Sequence, residues 1–297
     1  MSDLEPSSRE QIRRYALGAL NLAGVRGVIP VPLEQIDAAV GLHPSVDLLA
    51  AGEDIPPGFL EKAKLLTRKV IGGLAFTDKV IYLDKSLPRD RLRFTHAHEL
   101  GHLVLPWHQG AYFADDATTL HPATLQTLEA EANGFSAEVI FGYDEFAKMA
   151  DSYKPSIDVP LGLNATFGAS AHAALRRYVE TSGYHVALLI VGRFPIHPGG
   201  RLALKVFQRL QSTAFAERYG TLNTLIPESI FIDEHPTLRS LVDSSRGIGG
   251  TTEVALDTKR GLTKFHVDTF NNGRLNFALI YRQPKVLGRT ARIAGVA

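Results

Sequence analysis

The chain has 297 residues, 45% of them hydrophobic, which is enough for two domains with a core each, and it sets 32 basic against 31 acidic side chains. That balance leaves no global electrostatic footprint for nucleic acid or an anionic membrane surface. Cysteine is absent, which excludes disulfides, a thiol nucleophile and thiolate ligands, so any metal must rest on histidine and carboxylate.

The opening residues 1–6 are acidic and lack the apolar core of a secretory signal. No apolar run approaches the roughly twenty residues needed to cross a bilayer, so a cytoplasmic protein without a membrane partner is expected. Residues 9–23 repeat apolar side chains at helical spacing and end at Gly24; Pro32 opens a second, shorter helix that Gly41 closes. Residues 51–57, rich in Gly, Pro and acid, read as a loop. Residues 72–83 read as a hairpin turning at 77–79, which feeds a helix stopped by Pro106.

That helix carries His98-Glu99-Leu100-Gly101-His102. Residues four apart share one face, so His98 and His102 can grip a single metal ion, and Glu99 stands beside a water on that metal as a general base. Such a site hydrolyses peptide bonds. A hydrolytic zinc takes three protein ligands and a water, so a third ligand is needed. The next long helix, about 122–141, offers Glu129-Ala130-Glu131-Ala132-Asn133. Glu129 and Asn133 share a face there and Glu131 points away, so Glu129 is taken as the ligand and Glu131 as the fallback. A donor for the oxyanion would come from the intervening loop, where Tyr112, His108 and His121 are candidates. His96, two residues from His98, lies on another face, and Asn133 is placed to hydrogen-bond a ligand or to have no role.

Beyond Pro155, residues 165–178 read as helix, glycine turn, helix, a geometry that serves DNA binding, with Arg176 and Arg177 as phosphate contacts, or the simple packing of two helices. From His185 the texture becomes strand-like: 186–191, 202–207, 252–256, 264–268 and 275–281, with turns at Pro198–Gly200, Gly249–Gly250 and Asn271–Gly273. The expected fold class is α+β: a zincin-like domain over 1–150, a helix-turn-helix-like segment over 151–184, and a C-terminal α+β domain with a largely antiparallel sheet over 185–297.

The run Phe94 to His102, followed in order by Glu129 to Glu138, resembles the ImmA/IrrE family of metallopeptidases over roughly residues 9–180. The resemblance implies His98, His102 and Glu129 as zinc ligands and Glu99 as catalytic base, with Mn2+ or Fe2+ able to use the same donors. It also implies a protein substrate, a small Xre-type helix-turn-helix repressor whose cleavage derepresses stress-response or mobile-element genes. The C-terminal domain would then be GAF-like, sensing a signal or recognising the substrate. The chain departs from the family pattern at His96, often leucine, and at Val139–Gly142, often an apolar-Met-Pro sequence; neither touches the ligands. Two other readings stand beside it: a DNA-binding or ligand-sensing regulator with a structural or vestigial metal site, and a general peptidase of broad specificity.

Overall fold

The computed structural model describes residues 4–48, 72–75, 79–114, 121–192, 198–234 and 246–283. The expected loop at 51–57 lies outside them, as do residues 77 and 78 of the expected hairpin turn. The fold is mixed α+β, and the chain divides into two compact units: Met1–Ser152 with Ile157–Ser182, and Tyr153–Ser156 with Gly183–Ala297. Residues 157–182, most of the segment read from the sequence as a separate middle region, fall within the first unit.

In the first unit, helix α1 (Pro6–Leu22) buries Ile12, Ala16, Ala19 and Leu20, one helical stripe. It ends at Gly24, whose φ of +67° lets Val25 N–H reach Leu20 O at 3.0 Å and its own N–H reach Asn21 O at 3.0 Å, both orphan carbonyls of the last turn. Helix α2 (Leu33–Ala39) follows. Three short strands, β1 (Val46–Asp47), β2 (Gly72–Ala75) and β3 (Val80–Leu83), form a sheet in the order β1-β3-β2, with β3 antiparallel to β2 and parallel to β1. An Asp84 turn, in which Oδ1 accepts from Ser86 N–H at 3.0 Å, then leads into helix α3 (Arg89–Val104).

Pro106, which stops α3, also opens helix α4 (Pro106–Ala114), so the segment read as a loop from His108 is helical in its first half. Helix α5 (Pro122–Ile140) is the spine of the unit: Leu128, Ala132, Phe135 and Val139 are buried along it, and α1 and α3 both pack on it. Gly101 makes the α3 contact close, because a Cβ there would stand 3.1 Å from Phe135 Cδ1 and 3.4 Å from Ala132 Cα. Helices α6 (Glu145–Asp151), α7 (Asp158–Leu163) and α8 (Ala171–Thr181) complete the unit around Phe141, Phe146 and Phe167. Arg177 of α8 is 1% exposed and grips the fully buried Glu138 with two bonds of 2.9 Å, so it is no phosphate contact; Arg176 pairs with Glu180 at 3.6 Å.

The second unit is a six-stranded antiparallel sheet in the order β6-β5-β4-β9-β8-β7, built from β4 (Val186–Gly192), β5 (Ala203–Gln211), β6 (Ser229–Phe231), β7 (Gly247–Thr258), β8 (Gly261–Asn271) and β9 (Leu275–Tyr281). Helices α9 (Thr213–Tyr219) and α10 (Leu222–Leu225) bring Phe215, Tyr219 and Leu222 onto Ala187, Leu189, Phe265, Val267, Ala278 and Ile280. Asn271–Gly273 is a turn, as expected. Gly249–Gly250 is not: both lie inside β7, where the register against β8 shifts between Ile248 and Gly250, so the glycines serve a bulge.

Candidate metal centre

The α3–α5 crossing brings the two sequence motifs together. His98 and His102, one turn apart on α3, hold their rings 4.8 Å apart, with Nε2 facing Nε2 at 3.1 Å. Glu129 on α5 closes the triangle, with Oε2 3.2 Å from His98 Nε2 and Oε1 3.5 Å from His102 Nε2. Donor atoms 2.0–2.1 Å from a tetrahedral zinc stand about 3.4 Å from one another, close to the distances between these groups, although the two histidines face different oxygens of Glu129. One ligand atom from each of His98, His102 and Glu129 lies within 4.8 Å of the others, the spacing of a group that could hold a metal ion.

Both histidines are held from behind. His98 Nδ1 lies 3.0 Å from Asn133 Oδ1, which can only accept, so Nδ1 carries a proton and a neutral His98, having lost the proton it shares with Glu129, would offer its Nε2 lone pair to the centre. His102 Nδ1 faces His108 Nδ1 at 2.9 Å, and His108 Nε2 in turn meets Glu131 Oε2 at 3.0 Å. The same carboxylate oxygen accepts from Trp107 Nε1–H at 2.7 Å. The glutamate named as fallback ligand is thus turned away from the centre and engaged behind it. His108 is fully buried with both ring nitrogens occupied, which removes it as an oxyanion donor, and His121 caps α5 by accepting from Ala123 N–H. The Tyr112 side chain lies outside the described residues. His96, on its other face, pairs with the buried Asp37 at 2.7 Å.

The charges are arranged to receive a cation. Burial works to raise the Glu129 carboxyl, but hydrogen bonds from His102 and His98 outweigh it and hold the group far below the usual carboxylate range. Burial works to lower His98, and the Glu129 hydrogen bond with the charges of Glu99 and Glu129 turns the balance upward. Glu99 moves the other way: burial first, then the Glu129 charge, raise its carboxyl against the opposing pull of His98 and His102.

Beside the centre lies a cavity of about 640 Å³ between α3, α5 and α8, lined by Phe94, Asn133, Ala137, Phe141 and Ala173. Asn133 belongs to both, facing the cavity and holding His98. Sequence reasoning missed Trp107 and the engagement of Glu131. A signal was present, since Glu131 sits three residues after Leu128 and four before Phe135, on the buried stripe of α5, where a charge needs partners.

Residues 62–178 match the profile of peptidase family M78, described as the IrrE N-terminal-like domain. No curated protein gives a match. Among solved structures, a Mycobacterium tuberculosis transcriptional regulator is similar over 99% of this chain and 94% of its own, at a TM-score of 0.50 and 13% identity, a likeness that concerns the fold alone. Among the described residues no helix is long and apolar enough to cross a membrane.

Proposed function

We propose, from the premise that residues 62–178 belong to the IrrE N-terminal-like metallopeptidase family, that this chain is a zinc-dependent endopeptidase acting on a helix-turn-helix repressor. The observation that carries the reading is the convergence of His98 Nε2, His102 Nε2 and a Glu129 carboxylate at the spacing of a tetrahedral ion. The ion that these three residues would hold supplies Lewis acidity, lowering the pKa of a water and polarising the peptide carbonyl. Glu99 follows the ligand His98 on α3, accepts the proton of the attacking water and delivers it to the leaving amine. Asn133 keeps His98 in the tautomer that leaves its lone pair inward. The cavity that shares Asn133 gives an apolar side chain of the substrate a place beside the scissile bond.

Zinc is favoured over Mn2+ or Fe2+ by a donor set of two imidazoles and one carboxylate, which accepts four-coordinate geometry with one position open. The repressor substrate rests on the family resemblance, and the second unit, a six-stranded sheet with its own core, is assigned signal sensing or substrate recognition on the GAF-like pattern. The deciding experiment is co-expression with a candidate helix-turn-helix repressor. Glu99→Gln should abolish cleavage while the purified protein keeps its metal; cleavage at the wild-type rate would take Glu99 out of the mechanism.

The rival reading, a DNA-binding regulator, draws support from the fold shared with the M. tuberculosis transcriptional regulator. It loses one of its two arginine phosphate contacts to burial, because Arg177 is locked onto Glu138. Under that reading the protein shifts a promoter fragment in a salt-dependent way and continues to do so as His98→Ala.

A further inference from the structure

We propose that His108 and Glu131 form a buried relay that fixes the tautomer of His102 and strengthens it as a metal ligand. The inference rests on the metal-centre reading above and adds two positioning residues to it. Hydrogen-bond pairing decides where the protons lie. His102 Nδ1 and His108 Nδ1 stand 2.9 Å apart, so one carries a proton and the other accepts it. If the proton were on His108 Nδ1, neutral His102 would carry its own on Nε2, the atom 3.1 Å from His98 Nε2 and 3.5 Å from Glu129, and its lone pair would be lost to the centre. With the proton on His102 Nδ1, every group in the chain is satisfied: His102 donates to His108 Nδ1, and His108 carries its single proton on Nε2 and donates to Glu131 Oε2. Trp107 Nε1–H donates to the same oxygen.

The buried position of Glu131 makes the relay directional. Its side chain is 6% exposed and that of His108 is fully buried, and one carboxylate oxygen takes two N–H donors, from Trp107 and His108. A carboxylate drawing on one end of a histidine pair leaves the far nitrogen a better electron donor, which is how partners behind a metal-bound histidine commonly act. His98 and His102 are therefore held by different devices: a neutral amide behind the first, an imidazole backed by a charge behind the second.

The test compares the full chain as wild type, Glu131→Ala and Glu131→Gln, each stripped of metal and titrated with Zn2+ in competition with a chromophoric chelator, alongside the urea midpoint of each metal-free form. A bond that only ties α4 to α5 would lower the midpoint and leave zinc affinity alone. The relay predicts zinc affinity about 10–100-fold weaker in Glu131→Ala, and at least about threefold weaker in the isosteric Glu131→Gln, which keeps an acceptor but removes the charge. Wild-type affinity in Glu131→Gln overturns the proposal, and that variant decides alone if the alanine chain does not fold. A wild-type chain that takes up no zinc removes the metal centre itself, and the relay with it; unchanged affinity in the variants of a zinc-binding chain removes the relay only.

Discussion

Two of the glutamates of helix α5 have opposite fates. Glu138 is fully buried, bound through both oxygens by Arg177 and again by Arg13 at 3.1 Å. Glu129, nine residues earlier, keeps 30% of its side chain exposed and faces two histidines. The difference lies in the cation. An arginine guanidinium does not deprotonate and saturates a carboxylate permanently, whereas a histidine can give up its proton and share the carboxylate with a metal ion. One helix thus carries a locked carboxylate that ties it to α1 and α8 and, about two and a half turns earlier, a partly exposed one that faces two histidines.

The sharpest way to break the comparison is to remove each carboxylate's role in turn. Glu129→Gln should abolish tight zinc uptake in a chelator competition while the metal-free chain unfolds at nearly the wild-type urea midpoint, since a carboxylate with 30% of its side chain exposed adds little to the fold. Arg177→Met should do the reverse, lowering stability by about 3–5 kcal/mol because Glu138 is left buried and under-compensated, with zinc affinity of the folded fraction unchanged. If both variants lose metal and stability together, the two carboxylates are not separate devices.

Smaller changes refine it. Ala137→Phe, which pushes a ring into the 640 Å³ cavity, should raise KM for a cleaved repressor about tenfold with kcat and zinc content preserved, the scale of one apolar subsite. An unchanged KM would place the substrate elsewhere. Helix α8 also has a modest pH handle in His172, held below its ordinary value by burial first and then by Arg176. The folded state resists protonating His172 where the unfolded chain accepts it, so its contribution is whole above about pH 6.5 and is lost as pH falls below that value. Urea midpoints from pH 7 to 5 should fall less steeply in His172→Gln than in wild type; parallel curves would show that His172 is not held neutral.

Much of this was legible in the sequence because it depends on local periodicity. The i, i+4 histidines, the hairpin before them and the apolar stripe of α5 are all written within short windows, and the ligand face of α5 follows from the four-residue spacing of Glu129 and Asn133. What escaped needed context from outside the window. Pro106 signals a helix end, yet the same ring at the first position of a helix signals a start, and α4 uses it both ways. Gly249–Gly250 supplies the freedom that a turn or a bulge requires, and only the pairing of β7 with β8 chooses between them. The link from His102 through His108 to Glu131 joins three helices, so no single segment could announce it.

Gly101 faces α5 from α3, where any added carbon meets Phe135 and the Ala132 backbone. The missing side chain at residue 101 lets α3, which carries His98 and His102, lie close against α5, which carries Glu129. A methyl group there would require Phe135 to give by a few tenths of an ångström, the same order by which the bond lengths of divalent ions differ. On the metal-centre reading, a residue that touches none of the three donors therefore bears on which ion they would hold.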